Sequence, residues 1–220
     1  MPRIILILQC WLLFSVACTL SAQMNVKIGY NPVIGSFSGI NQIQQAYSPS
    51  SGIVQSGFSD LAFMHGIQLG LRQRFGNLGI ELGWESLTSS KSALTFIESN
   101  ESFTTRSYNH DIKTWSFSLD QYLNPVGFGS SITRTNFSIA REVGQNEISI
   151  VNESNYGVRV HLNWVIQESS LVSLVVRPYY QFYLNDVDLS NFASDLNSGV
   201  STTESLSFFG LSFIFYNGRQ

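Results

Sequence analysis

Residues 156–167 read Tyr156-Gly157-Val158-Arg159-Val160-His161-Leu162-Asn163-Trp164-Val165-Ile166-Gln167, and this stretch decides the fold. Tyr156, Val158, Val160, Leu162, Trp164 and Ile166 share one face of an extended chain; Gly157, Arg159, His161, Asn163 and Gln167 share the other. Side chains of a strand alternate with a period of two, so the segment reads as a strand lying between an apolar and a polar environment.

The same pattern recurs on both sides. Towards the N-terminus, Val26, Ile28, Tyr30, Pro32 and Ile34 alternate with Lys27, Gly29, Asn31 and Val33. Leu61, Phe63, His65, Ile67, Leu69 and Leu71 alternate with Ala62, Met64, Gly66, Gln68, Gly70 and Arg72. Leu78, Ile80, Leu82 and Trp84 stand against Gly79, Glu81, Gly83 and Glu85; Trp115, Phe117 and Leu119 stand against Thr114, Ser116, Ser118 and Asp120. Towards the C-terminus, Val172, Leu174, Val176, Tyr180, Phe182 and Leu184 oppose Ser173, Arg177, Tyr179, Gln181 and Tyr183, and Phe209, Leu211, Phe213 and Phe215 close the chain. The strand from Val126 to Arg141 is irregular. Val126, Phe128 and Ile132 share a phase that Phe137 and Ile139 leave, which predicts a β-bulge near Arg134.

These eight strands are joined by short and long links in strict alternation. Phe75-Gly76-Asn77, Asn124-Pro125 and Glu168-Ser169-Ser170 make tight turns, and the other four links are long. Short periplasmic turns alternating with long outer loops mark an outer-membrane barrel, and eight crossings return the C-terminus to the side of the N-terminus. Leu94, Phe96, Phe103 and Tyr108 around Glu98-Ser99-Asn100-Glu101, and Ile148 and Ile150 after Gly144-Gln145-Asn146, extend the middle strands into a sheet beyond the membrane. In the first long link, Ile40, Ile43 and Tyr47 at helical spacing suggest a short lid or recognition helix, or a stretch packed onto the barrel.

Arg3, an apolar run from Ile4 to Ala17 and a small-residue stretch ending at Ala22 make residues 1–22 a secretory signal peptide, with residues 23–220 as one barrel domain. An uncleaved anchor helix or lipidation at Cys18 are lesser readings. Both cysteines, Cys10 and Cys18, leave with the leader, so the mature chain has neither disulfide nor thiolate metal site. The leader carries one of 12 basic and none of 15 acidic residues, which leaves a mature net charge of −4 and argues against a nucleic-acid partner. Charged residues make up 12% of the chain, against about 25% in soluble domains. No apolar run after the leader is long enough for a spanning helix.

The period alone fits a soluble lipocalin-like barrel turned the other way, with an apolar interior. Three features favour an apolar exterior. The polar face is rich in Gly and Ser rather than in the Lys and Glu of a solvated surface. Tyr30, Trp84, Trp115, Tyr156, Trp164, Tyr180, Phe213 and Phe215 suit an interfacial aromatic girdle. The last strand is a run of aromatics close to the C-terminus. With the apolar face outward, Lys27, Gln68, Arg72, Glu81, Glu85, Asp120, Arg159, His161, Asn163, Arg177 and Gln181 form a polar lumen network. A lumen of eight strands is only wide enough for side chains to fill it. Charges there must pair, because an isolated one costs several kcal/mol.

In its leader, its eight alternating strands and its loop lengths, the chain resembles the small outer-membrane β-barrels of the OmpA-barrel and OmpX type and the PorT-like barrels. The resemblance spans Met24 to Tyr216, lies in pattern and carries no diagnostic motif. It implies an all-β fold, an eight-stranded antiparallel transmembrane up-and-down β-barrel with a packed polar lumen, in the cell outer membrane. The partners expected are outer-membrane lipid, the barrel-assembly machinery and a protein at the extracellular loops, with no cofactor. The leading function is structural or interactive (adhesion or secretion accessory), without catalysis. A narrow porin-like channel for ions or solutes and a lipid A-modifying enzyme are the rivals. For the enzyme, His65, His110 and His161 are isolated candidates that make no triad. Asn109-His110-Asp111 is too sparse for a metal site, and no phosphate loop, zinc spacing or dinucleotide fingerprint occurs.

Overall fold

The computed structural model describes residues 23–123, 125–169, 171–200 and 202–218. The predicted signal peptide lies outside the described residues, as do Asn124 and Ser170 of two predicted turns and Arg219-Gln220 of the tail. In chain order the elements are β1 (Gln23–Gly35), α1 (Ser38–Gln45), β2 (Ile53–Ser56), β3 (Phe63–Phe75), β4 (Leu78–Ile97), β5 (Ser102–Tyr122), β6 (Val126–Val143), β7 (Asn146–Glu168), β8 (Val172–Tyr183), β9 (Val187–Asp188), α2 (Ser190–Asp195), β10 (Thr203–Glu204) and β11 (Phe208–Asn217). A single 3-10 turn at Glu98–Asn100 joins β4 to β5.

Eight strands close a ring. Around it run β1, β3, β4, β5, β6, β7, β8 and β11, each antiparallel to the next, and β11 pairs back with β1 to close it. Closure matters because hydrocarbon satisfies no backbone polar group, so a spanning sheet tolerates no free edge. One tight turn rests on Gly76, whose φ of 59° lies in the left-handed region that glycine enters without steric cost. In the other two, Leu123 N–H and Ser169 N–H donate to the carbonyls of Val126 and Val172.

The apolar face is the outer one. Leu82, Trp115 and Leu162 are 51%, 57% and 52% exposed, while Arg72 and Glu81 on the opposite face are wholly buried. In water this distribution would be inverted; it fits a wall facing lipid. The outward stripes end at Trp84 on β4, Trp115 on β5, Ile132 on β6 and Tyr156 on β7. Beyond them β4 runs thirteen residues further to Ile97, and β5 starts thirteen residues before Trp115, about 40 Å of strand. The outer parts of β4 to β7 stay paired, and β2 adds a fifth strand along β4, with Ile53 opposite Phe96.

Three details correct the sequence reading. The predicted bulge near Arg134 is absent: β5 and β6 pair without a shift from Tyr108–Arg141 to Tyr122–Gly127. Phe137 and Ile139 point inward in perfect phase, because the interior itself turns apolar there; the one irregularity on β6 is at Ile139/Ala140, against β7. Leu61, assigned to the outer stripe, precedes β3 and is fully buried. Gln167, assigned to the lumen, is exposed, because β7 slips against β8 between Val165 and Gln167.

The paired outer halves of β4 and β5 carry a direct test. Peptide-level hydrogen exchange is expected to show amides of 88–97 and 102–110 protected alongside the barrel. Exchange as fast as in a free peptide would mean that the sheet ends at the membrane.

Candidate functional site

The interior has two tiers. In the lower one the inward residues of the membrane-spanning strands fill the bore. Glu81 on β4 is the hub: Lys27 Nζ from β1 lies 2.7 Å from its Oε1, and Arg177 of β8 spans both carboxylate oxygens at 2.8 and 3.1 Å. The Tyr216 hydroxyl of β11 donates to the same carboxylate at 2.6 Å. Arg177 Nε donates to Asn163, whose amide donates to Asp120, and Asp120 also meets His161 Nε2 at 2.5 Å.

A second cluster sits on Glu85. Arg159 makes a two-pronged pair with it, and Asn31 donates to it at 2.7 Å. Arg159 also donates to Gln181, which donates to Thr133, and its guanidinium lies 4.2 Å from the ring centre of Tyr179. Arg72 donates to Asn25 and stacks 3.8 Å from the centre of the Tyr216 ring. Gln68 is buried, with no partner for its Nε2 among the described residues. All eleven polar residues expected in the lumen are thus buried. Ion pairs cross the bore from β1 and β8 to β4 and from β7 to β4, so side chains occupy it from wall to wall.

Two glycines make this density possible. A Cβ at Gly129 would stand 2.1 Å from Asp120 Oδ1, and one at Gly210 would stand 2.1 Å from the Tyr179 ring. Any larger residue would displace the acid or the ring.

The upper tier is apolar. On strand after strand the inward residue changes type near the outer end: Val33, Met64, Leu87, Ile112, Phe137, Ile139 and Val151 are all buried. They pack with Ile40 and Ile43 of α1 and with Leu189, Phe192 and Leu196 in and around α2. The two helices therefore seal the outer mouth. Glu204, from the last loop, fixes α1 by accepting from the N–H groups of Gly39 (2.6 Å) and Ile40 (3.1 Å), which the helix leaves unsatisfied. Burial raises its pKa, and the two N–H bonds oppose that rise. Asp195 fixes α2. Arg141 of β6 holds its Oδ1 at 2.6 Å, and Arg106 and the Tyr108 hydroxyl of β5 hold its Oδ2. Sequence reasoning found α1 by its spacing and missed α2, a six-residue helix in a long link.

Of the expected girdle, Tyr30, Trp115, Tyr156, Trp164, Tyr180, Phe213 and Phe215 are exposed on the outer wall and Trp84 is half-exposed there. Trp84 pairs with Trp115, Trp115 with Arg134 and Arg134 with Tyr156, so one rung of the sheet carries three of them. The histidines occupy three different environments. His65 lies on the outer wall against Phe63 and Tyr30; His161 is in the lumen; His110 is buried in the cap, edge-on to Phe192 and 3.4 Å from the Gln44 amide. Among the described residues no group of three or more His, Cys, Asp or Glu could hold a metal.

Two outcomes follow from this geometry. Glu81→Ala strands Lys27 and Arg177 without their shared partner, and is expected to cost about 3–5 kcal/mol in urea unfolding from lipid vesicles; a loss below about 1 kcal/mol would mean that the network is not a structural support. Burial lowers the His110 pKa from 6.5 to about 4. Its neutral form is therefore the folded one, and its contribution is complete above pH 6.5 and lost as pH falls towards 4. Proteolysis of the cap is expected to accelerate over that window, and His110→Phe is expected to flatten this dependence. An unchanged pH profile in the variant would place the sensitivity elsewhere.

No protein-family model and no curated protein matches the sequence. Among solved structures, the attachment invasion locus protein Ail of Yersinia pestis, crystallised with sucrose octasulfate, is 10% identical, with a TM-score of 0.48 over 90% of this chain and 97% of that one. Neisserial surface protein A is 10% identical, with a TM-score of 0.45 over 90% and 99%. The outer membrane protease OmpT of Escherichia coli is 10% identical, with a TM-score of 0.34 over 90% and 95%. On its own geometry, with a closed wall apolar outside, charges paired inside, and short turns facing long loops, the chain is an eight-stranded outer-membrane β-barrel.

Proposed function

We propose that the barrel is a non-catalytic surface protein that acts through its outer loops and the projecting sheet of β2, β4, β5, β6 and β7. The observation that carries this reading is the outer edge of β7. The strand begins at Asn146, but β8 joins it only at Gly157, so residues 147–154 have β6 on one side and no paired strand on the other among the described residues. Asp188 of β9 reaches this edge only through its N–H, which donates to the Glu153 carboxylate. Such an edge offers backbone donors and acceptors to an extended segment of a partner. The cap covers the inner side of this sheet and leaves Ile148 exposed at the edge.

The filled lumen supports a binding role over conduction, since an ion would have to break paired charges and displace two docked helices. The setting of His65, between two aromatic rings on the lipid side, supports binding over lipid A chemistry, for which an adjacent acid and nucleophile would be needed. Cells producing the protein are expected to adhere to one another or to a host-cell monolayer several-fold more than cells producing Ile148→Lys, which places a charge on the free edge. Equal adhesion, together with ohmic conductance of the wild-type barrel in planar bilayers, would transfer the function to the channel reading. Lipid A mass spectra are expected to be identical with and without the protein.

A further inference from the structure

Almost every cation among the described residues has a partner. Lys27, Arg72, Arg159 and Arg177 are engaged in the lumen, Arg106 and Arg141 hold Asp195, Arg74 donates to the Gly76 carbonyl and Lys91 to Ser59. Lys113 and Arg134 are the exceptions: both are exposed, and neither forms a hydrogen bond or ion pair with another described residue. Asp111, on the same face of β5, makes no ion pair with Lys113. Arg134 stands on the rung of Trp84, Trp115 and Tyr156, where the apolar wall ends; Lys113 lies one outward step beyond Trp115, opposite Asn136. Cross-strand diagonal neighbours of this kind lie about 7–8 Å apart. The two unpaired cations therefore share one patch of the outer wall, immediately on the loop side of the hydrocarbon.

Below the patch the wall is grooved. Val26, Leu69, Leu71, Leu82, Trp84 and Trp115, with Lys27, Gly70 and Gly83, line a depression of about 450 Å³. Trp115 belongs to both features, so the groove leads up to the cations. Past them, the same face presents the amides and hydroxyls of Asn136, Ser154 and Asn152. An apolar slot, then two adjacent positive charges, then a hydrogen-bonding surface is the order of chemistry along an acylated, phosphorylated sugar.

We infer that this patch is a binding site for a phosphorylated glycolipid of the outer leaflet: an acyl chain lies in the groove, a phosphate meets Lys113 and Arg134, and the sugar meets Asn136 and Ser154. Arg134 offers a phosphate its planar fork and Lys113 a mobile point charge. The inference rests on the outer-membrane placement of the barrel and shares Ser154 with the β7 edge, but needs no strand added there.

The test uses the full mature chain folded into phosphatidylcholine vesicles that contain, in separate arms, bisphosphorylated lipid A, dephosphorylated lipid A or phosphatidylglycerol. The lipid retained after extraction into mild detergent is counted by native mass spectrometry. The wild type is expected to retain bisphosphorylated lipid A, and the Lys113→Gln/Arg134→Gln double variant to retain it about tenfold less or weaker still. Dephosphorylated lipid A and phosphatidylglycerol are expected to be lost from both. Retention that is equal in wild type and double variant overturns the site; equal retention of phosphatidylglycerol overturns the glycolipid assignment. Should the double variant fail to fold, as judged by its gel mobility before and after boiling, the wild type alone decides. High salt must strip the lipid from a site built on two exposed charges, and retention indifferent to salt would refute it.

Discussion

Hydrocarbon solvates neither a backbone N–H nor a charge, and every level of this structure answers that constraint. Backbone groups are satisfied by closing β11 onto β1. Charges are turned inward, where a bore of eight strands holds no bulk solvent, so each must find a protein partner. Glu81 is consequently bound by Lys27, Arg177 and Tyr216 at once. Removing any one member exposes the others to an environment that cannot compensate, which makes the lumen a cooperative unit.

The constraint relaxes above the membrane, and the interior changes character with it. Once the outer wall is wetted at Ser86, Lys113 and Asn136, the inner face is free to become an ordinary apolar core, and Met64, Leu87, Ile112, Phe137 and Ile139 do so. On β4, β5 and β6 hydrophobicity is thus inverted across one rung, apolar outside and polar inside below it and the reverse above it. On β1 and β3, by contrast, the wall stays apolar at Ile34 and Phe63 beside the inward Val33 and Met64. The helices α1 and α2 supply the other half of that upper core. They are held by charges from distant parts of the chain, Glu204 on α1 and Arg106 and Arg141 on α2.

The lower half of the molecule was legible because one rule covers all eight strands. Alternation located Lys27, Glu81, Asp120, Arg159 and Arg177 on one face, and loop lengths ordered the strands. The upper half was obscured by the inversion. Phe137 and Ile139 read as a loss of phase because a constant polarity was expected along each strand, although the phase itself never changes. The signal was available in the succession of Val33, Met64, Leu87 and Ile112, apolar residues at inward positions on four strands. What no period encodes is a contact between loops. Asp195 with Arg141, and Glu204 with the start of α1, join residues whose proximity depends on the closed barrel. The same holds for Lys113 and Arg134: adjacency of residues on different strands follows from register, which the misplaced bulge at Arg134 would have altered.

The claim on which all of this depends is the orientation of the wall. It is tested most directly by the mobility of the outer-membrane fraction on SDS gels, comparing unheated with boiled samples. A closed barrel of this kind resists SDS until boiled, so the protein is expected in that fraction with a band that shifts on heating. A mature chain soluble without detergent, with no shift, would contradict the account: the apolar stripes would then line an interior, and the charged residues would face water.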